Sequence, residues 1–507
     1  MQVINVPAPY GGINNRDGSY TIDALFASSL YNLIPNSGYL EARGPVLVHS
    51  TNDVSPNDIL SIWGNANGSG VFSTSSSIYQ VATIIGAPLA AGFANGLWHG
   101  NLWQNRTILC NGVDTPQIYN GATVVPIVAA GPTLTNLFGS TTFKGRVYYW
   151  DNNARVFWYA AAGAFQGALT SFDLSTFTRG DGYLVSIAPL TIDGGAGPDD
   201  ILAFLFSNGE VLVYQGDDPG SATAWQQVGR FMIGEMLGRD CWAIVGSATL
   251  VATNIGVVDL ARALSSGAVD DSAVVGQKFG AENMVKTTDV NIYAMHRKLL
   301  LDVENRILVL CIYDPTTIST AGIAIIHGMD IETRSWFTYQ NVAYEHQLKN
   351  VLDLYPLPAK RTTAVGFTGS QMIYGGNSKL LKGPERSSTL DLDDYYSTLY
   401  YPEYYTFYCA YNPSVDFGDR TTNKIITAVD VTYEDTATTT IDYFECFVRL
   451  GGDRYNGTLT TSNHSYQTGF ISNTAYGKRI NYRVSFFKKS GLKWYSMPVM
   501  FKIGNSL

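Results

Sequence analysis

Short apolar runs, broken by glycine, asparagine and aspartate, recur along most of this chain, while helical periodicity is scarce. In the clearest case Ile201-Leu-Ala-Phe-Leu-Phe206 and Val211-Leu-Val-Tyr214 flank Asn208-Gly209. Two strand-length runs meeting at the residue pair of a type I′ turn predict a β-hairpin. Further hairpins are predicted at Asn67-Gly68, Asn111-Gly112, Asn120-Gly121, Asp151-Asn-Asn153, Asn254, Glu304-Asn305 and Gly369-Ser370. Turn centres lie roughly 40–65 residues apart, near the period of propeller blades made of four short strands. A β-solenoid would need shorter and more uniform rungs. Trp225-Gln-Gln-Val228 and Thr333-Arg-Ser-Trp336-Phe-Thr-Tyr339 suit outer blade strands, and residues 257–265 suit a turn or two of helix.

The two ends depart from this series. Pro7, Pro9 and Gly11-Gly12 resist regular structure, so residues 1–50 read as an extended arm. Within it, residues 25–33 predict a short helix ending before Pro35. Beyond Gly383-Pro384 the composition turns rich in Tyr and Thr, and residues 425–433, 443–448 and 480–486 alternate apolar and polar. Alternation gives one buried and one wet face, as in a β-sandwich. The predicted fold is all-β. It comprises an extended N-terminal docking arm (1–50), a β-propeller of about six blades (51–384) and a C-terminal β-sandwich-like domain (385–507).

Composition adds an expectation about assembly. Hydrophobic residues make up 46% of the 507 and charged residues only 15%, against about 25% charged in ordinary soluble domains. No apolar run approaches the roughly 18–20 residues of a membrane span. So few charges with 13% aromatics predict a surface covered by sister subunits. The five cysteines (Cys110, Cys241, Cys311, Cys409, Cys446) are scattered without CxxC spacing and read as buried reduced thiols. The opening Met1-Gln-Val-Ile-Asn-Val-Pro7 lacks the pattern of a secretory signal, which points to synthesis in a reducing cytoplasm. A net charge of −9 without a Lys/Arg cluster argues against a surface that grips nucleic acid.

Catalysis needs converging groups, and no spacing here secures convergence. His49, His99, His296, His327, His346 and His464 sit in separate segments without HxH or HExxH. Gly194-Gly-Ala-Gly197 precedes a strand rather than a helix and fails as a phosphate loop. Adjacent acids at Asp199-Asp200, Asp217-Asp218, Asp270-Asp271 and Asp393-Asp394 point to opposite faces of a strand, so adjacency does not make a glycosidase pair. They read as solvated turns. Calcium at Asp193, Asp199 and Asp200, or at Asp217 and Asp218, is the alternative, without the DxDxDG spacing. No catalytic residue, cofactor or metal ligand is assigned, and the chain is read as a non-enzyme. The tyrosine run Tyr395, Tyr396, Tyr400, Tyr401, Tyr404 and Tyr405 suits a subunit interface better than a sugar-stacking surface.

Taken in order, several blocks resemble a family of tail proteins of podoviruses, the short-tailed bacteriophages. Gly11-Gly12-Ile-Asn14-x-Arg16-Asp17 is similar to the family's opening "GGLNTRD", and Asn32-Leu-Ile-Pro35 through Arg43-Gly44 to its next block. Asn111-Gly112-Val-Asp114-Thr-Pro116, then Lys144-Gly-Arg146-Val-Tyr148, resemble its following spacing. Arg179-Gly180 to Leu184, Asp199 to Pro219 and Gly229 to Val258 continue the likeness, which weakens toward residue 385. The resemblance implies a tail nozzle or head-completion hub. Such a propeller protein forms a ring, usually of six copies, below the portal and adaptor in the virion tail. There it extends the channel for genomic DNA, helps retain the packaged genome and anchors tail fibres or spikes. Arg16, Asp17 and the six tyrosines are the interface candidates. Removing residues 1–20 is expected to leave the propeller folded and to impair docking on the adaptor. The alternative is a receptor- or glycan-binding tail propeller that degrades polysaccharide.

Overall fold

The computed structural model describes residues 2–17, 22–43, 47–54, 57, 59–193, 198–267, 273–276, 278–280, 297–312, 325–339, 362–368, 371–376, 379–382, 406–415, 424–430, 432–435, 443–450, 453–459, 468–469, 476–477, 480–488 and 492–503. Nearly all regular structure among them is β-strand, arranged mainly in antiparallel four-stranded sheets. Blade 1 contains Ser61–Gly64, Gly70–Ser73, Ser77–Gln80 and Ala90–Ala91. Blade 2 contains His99–Trp103, Arg106–Cys110, Gln117–Tyr119 and Val124–Pro126. Blade 3 contains Leu137–Phe143, Arg146–Asp151, Val156–Tyr159 and Thr170–Asp173. Blade 4 contains Leu184–Asp193, Pro198–Phe206, Glu210–Gly216 and Trp225–Met232. Blade 5 contains Trp242–Val245, Ala248–Thr253, Gly256–Asp259 and Val274–Val275. Blade 6 contains Arg297–Asp302, Ile307–Ile312, Ile325–Asp330 and Trp336–Tyr339.

Blade 7 explains why the count exceeds the six expected. Its strands Thr362–Thr368, Gln371–Gly376 and Lys379–Lys382 are joined by Leu47–Val48 from the N-terminal region, paired as Leu381↔Val48 and Lys382↔Leu47. The His49 and Ser50 amides donate to the Leu380 carbonyl, so one short segment ties the first blade's entrance to the last blade. The first strands of blades 7 and 1, of 2 and 3, of 3 and 4, and of 5 and 6 contact one another, which places them on the inner side of the propeller.

The hairpin at Asn208-Gly209 forms, with a different turn. The Gly209 amide donates to the Phe206 carbonyl at 3.0 Å, and Gly209 alone takes positive φ, at 82°. This is a three-residue loop ending in a left-handed glycine, not a two-residue I′ turn. Asn208 keeps negative φ, and its Oδ1 accepts the Glu210 amide at 3.1 Å across the turn. Between blades 3 and 4, Trp225 stacks on Tyr148 (6.2 Å, 17°) and on Tyr214 (5.3 Å, 16°), so offset rings fill the space between two sheets. The short helix falls at Leu260–Ser266, capped by Asp259 accepting from the Ala261 and Arg262 amides and closed by left-handed Gly267.

The N-terminal region is extended, and its strands are paired within the chain. Gln2–Pro7 runs antiparallel to Leu492–Ile503, from Gln2↔Phe501 to Pro7↔Ser496. Leu33–Asn36 and Tyr39–Ala42 join the same eight-stranded sheet, with Lys424–Asp430 on its other side. Residues 25–33 form no helix. Ser29–Tyr31 is a strand, and Asn32 turns the chain at φ 58° while its Oδ1 accepts from Arg43 Nε at 2.9 Å. Ser29–Tyr31 pairs parallel with Trp336–Tyr339 of blade 6 and antiparallel with Thr406–Val415. It thereby makes one nine-stranded sheet that continues through Ile480–Lys488, Tyr443–Leu450 and Asp453–Leu459. The expected boundary at Gly383-Pro384 lies outside the described residues.

Candidate functional site

Charged residues from several blades converge among the inner strands of the propeller. His99 opens the inner strand of blade 2, Arg239 and Asp240 precede that of blade 5, and Lys298 lies in that of blade 6. All four are buried. His99 Nδ1 meets Asp240 Oδ1, and its Nε2 lies 2.7 Å from the Ser140 carbonyl of blade 3. Arg239 donates to the Phe138 carbonyl at 2.9 Å and to the Leu97 carbonyl, and its own carbonyl accepts from Ser186 Oγ of blade 4 at 2.9 Å. Lys298 Nζ donates to the Ile62 carbonyl of blade 1 at 2.9 Å and sits 3.3 Å from the centre of the Trp63 ring. Blades 1 to 6 are thus cross-linked around one carboxylate.

Electrostatics follow from that geometry. Burial works to raise the Asp240 carboxyl, but His99, Arg239 and Lys298 outweigh it and hold it down at about 2. Burial lowers Lys298 to about 8 despite Asp240. Burial also pushes the Cys110 and Cys311 thiols up to about 12. These cysteines, with Cys241, are buried and free, unsuited to act as thiolates at neutral pH. The groups of the cluster are buried, and their contacts tie the inner strands of the blades together.

The linkage has a definite sign. With its folded pKa depressed, Asp240 contributes stability at neutral pH that is lost as pH falls from about 4 toward 2. The unfolded chain holds the Lys298 proton more tightly than the folded one, so this residue's penalty fades as pH rises above about 8. Tyr148, Tyr149 and Tyr214, raised by burial, reverse the trend once unfolded tyrosines ionise near pH ~10. Thermal denaturation should therefore show less stability in acid and a Lys298-dependent gain between about pH 8 and 10, absent in Lys298→Met. A wild-type profile matching Lys298→Met across that window would contradict this.

A second locus lies where the N-terminal region meets blades 5 and 6. Gly12, at φ 86°, packs against the Trp336 backbone, and the Ile13 amide donates to the Trp336 carbonyl at 2.8 Å. Asp17 accepts from Lys278 Nζ at 2.7 Å and from Asn14 Nδ2 at 2.9 Å, contacts that hold its carboxyl below the usual range, Lys278 first. Asn15 donates its amide to the Lys278 carbonyl. Asp17 is therefore bound within its own chain, with Arg16 beside it. Under this seam lies a cavity of about 580 Å³, walled by Tyr10, Phe26, Phe279 and Trp336 and by Arg262, Lys278 and Arg334.

Tyr395, Tyr396, Tyr400, Tyr401, Tyr404 and Tyr405 lie outside the described residues, as do Asp270, Asp271, Asp393 and Asp394. Asp218 pairs with Arg146 at 3.4 Å and accepts the Gly220 amide at 3.2 Å. Among the described residues no three His, Cys, Asp or Glu gather as metal ligands. The axial cluster was not singled out in the sequence. Its visible signal is charge at the start of an apolar strand, Arg297-Lys298 before Leu299-Leu-Leu301.

No family model matches the chain, and no curated protein does. Among solved structures it is similar to the β-propeller domain of Cps50 (Swd1) from Myceliophteria thermophila, at 9% identity and TM-score 0.40, covering 67% of this chain and 100% of that one. YCF48 from Cyanidioschyzon merolae is similar at 10% identity and TM-score 0.35, covering 69% and 99%.

Proposed function

We propose that this chain is a structural, non-enzymatic subunit of a short-tailed phage tail nozzle. About six copies form a ring below the portal and adaptor, extend the DNA channel, help retain the genome and carry tail fibres or spikes. The sequence blocks that resemble the nozzle family supply this reading. One observation carries it further: the described residues of those blocks hold loops and blades in place. Asn32 binds Arg43 inside the N-terminal sheet region. Asn111 Nδ2 and the Ala94 and Asn95 amides all donate to Asp114. Glu210 accepts from the Arg179 and Gly180 amides. Asp17 holds Lys278. Side chains committed to rigidity suit a wall that must keep its shape during DNA passage.

The crosslinked axis supports a further detail. DNA passes between copies, along a lumen their outer faces enclose, and not through any single propeller. A net charge of −9 would limit adhesion of the passing polyanion. On this reading the chain resides in the virion tail after assembly in the host cytoplasm. Quantitative mass spectrometry of purified virions tests this, with about six copies per particle expected. Virions lacking the chain, with the protein only free in the lysate, would refute it.

A further inference from the structure

Asn-Gly pairs punctuate the chain at Asn67, Asn95, Asn111, Asn120, Asn208 and Asn456. Each joins a chemically labile side-chain amide to a backbone nitrogen that no neighbouring Cβ shields. That glycine nitrogen can attack the asparagine Cγ. Three features of the fold then decide reactivity: whether the glycine N–H is already donating, whether the leaving nitrogen is held, and whether water reaches the turn.

Five of the pairs are restrained. The Gly68 amide donates to the Asn65 carbonyl, Gly112 to Leu137 and Gly209 to Phe206, each at 3.0 Å. Asn111 is also buried, and its Nδ2 donates to the Asn95 carbonyl at 2.7 Å and to Asp114 at 2.8 Å. Gly96 is buried with the Thr74 carbonyl against its Cα. Asn456-Gly457 lies inside the strand Asp453–Leu459, paired along Tyr443–Leu450. Asn120 differs. It is exposed, in the turn between Gln117–Tyr119 and Val124–Pro126. Among the described residues the Gly121 amide and Asn120 Nδ2 donate to no acceptor. Asn120 Oδ1 accepts the Ala122 amide at 3.0 Å and the Thr123 amide at 2.8 Å. These donors polarise the side-chain carbonyl and face the oxygen on which negative charge grows during attack. Asn111 Oδ1 has the same two donors, at 3.0 and 2.7 Å, so nucleophile, leaving group and water make the difference.

We infer that Asn120 is a site of spontaneous covalent modification, deamidating through a cyclic imide with Gly121. The Gly121 nitrogen gives its proton to solvent hydroxide and bonds Asn120 Cγ. The Cγ–Nδ2 bond breaks, and ammonia leaves with a proton taken from water. Water then opens one of the two imide C–N bonds, giving aspartate or isoaspartate. One water is consumed and one ammonia released. Older chains thus carry a new carboxylate in the outer turn of blade 2, and the isoaspartate product also lengthens the main chain there. Gly121 lies against Asn67 of blade 1, so the change falls at the seam between two blades. The inference is independent of the nozzle reading, because it rests on this turn alone.

Peptide mapping by mass spectrometry of the full chain, held folded at mildly alkaline pH and sampled over time, tests it. Asn120 should convert about fivefold or more faster than Asn67, Asn111 or Asn208, the factor expected where no glycine hydrogen bond must first open. In urea, where every turn is lost, the rates at these four positions should draw together. The Asn120 product should contain isoaspartate, detected by methyl transfer from an isoaspartate-specific methyltransferase, and its rate should rise with pH. Asn120→Ser should abolish the signal while the melting temperature confirms folding. Equal rates at the four positions in the folded chain would overturn the proposal, as would an Asn120 that stays intact while another pair converts. A product that is aspartate alone would mean direct hydrolysis, and the imide with Gly121 would be wrong.

Discussion

Replacing Asp240 with alanine should lower the free energy of unfolding by about 3–5 kcal/mol, the cost of leaving buried charges without their counter-ion. Arg239 and Lys298 are both buried, and His99 Nδ1 also points at this carboxylate. None of the three can reach water without parting inner strands. The expected asymmetry is informative: Lys298→Met should change stability by no more than about 1 kcal/mol, because an apolar chain removes the lysine's own desolvation cost. Urea unfolding of both variants, with m unchanged, measures the difference. A loss below about 1 kcal/mol for Asp240→Ala would mean that the blades are held by apolar packing alone.

Two truncations should separate the two duties of the N-terminal region. Without residues 1–45, Leu47–Val48 remains to complete blade 7, so the propeller should unfold in one cooperative transition. The C-terminal strands should instead become protease-sensitive. Ser29–Tyr31 is the strand that joins blade 6 to Thr406–Val415, and Gln2–Pro7 covers Leu492–Ile503. Without residues 1–50, blade 7 also loses its pairing to Leu47–Val48, the His49 and Ser50 amide bonds to Leu380, and the bond from the Leu380 amide to Ser50 Oγ. About five hydrogen bonds at their usual net worth make this second cut costlier by roughly 3 kcal/mol. Limited proteolysis and thermal unfolding of both proteins would show it. Equal stability of the two truncations would contradict closure by residues 47–50. The milder removal of residues 1–20 also takes Gln2–Pro7 from the C-terminal sheet, so it tests more than docking.

The hairpins were legible because each depends on adjacent residues: the apolar runs beside Asn208-Gly209, Asn120-Gly121 and Glu304-Asn305 carry their own turn chemistry. Blade 7 was not, since its fourth strand comes from residues 47–48, more than 300 positions away, and two residues carry no periodicity. Residues 25–33 have helix-compatible composition, yet Leu30 is wholly buried in a strand that is paired on both sides. There tertiary pairing outweighs local preference. The axial cluster escaped notice for a related reason. His99, Asp240 and Lys298 are separated by 141 residues or by strands of other blades, and only the circular arrangement brings them together. Arg16 and Asp17 were singled out through the resemblance, and Asp17 is bound to Lys278 in its own chain.

Electron cryomicroscopy of the purified protein tests the central claim most directly. Density should show a closed ring of seven-bladed propellers, each axis filled by Asp240 and its cationic neighbours, with the wide lumen lying between copies. An open, solvent-filled axis through each propeller, or a particle that stays a single copy at every concentration, would contradict it.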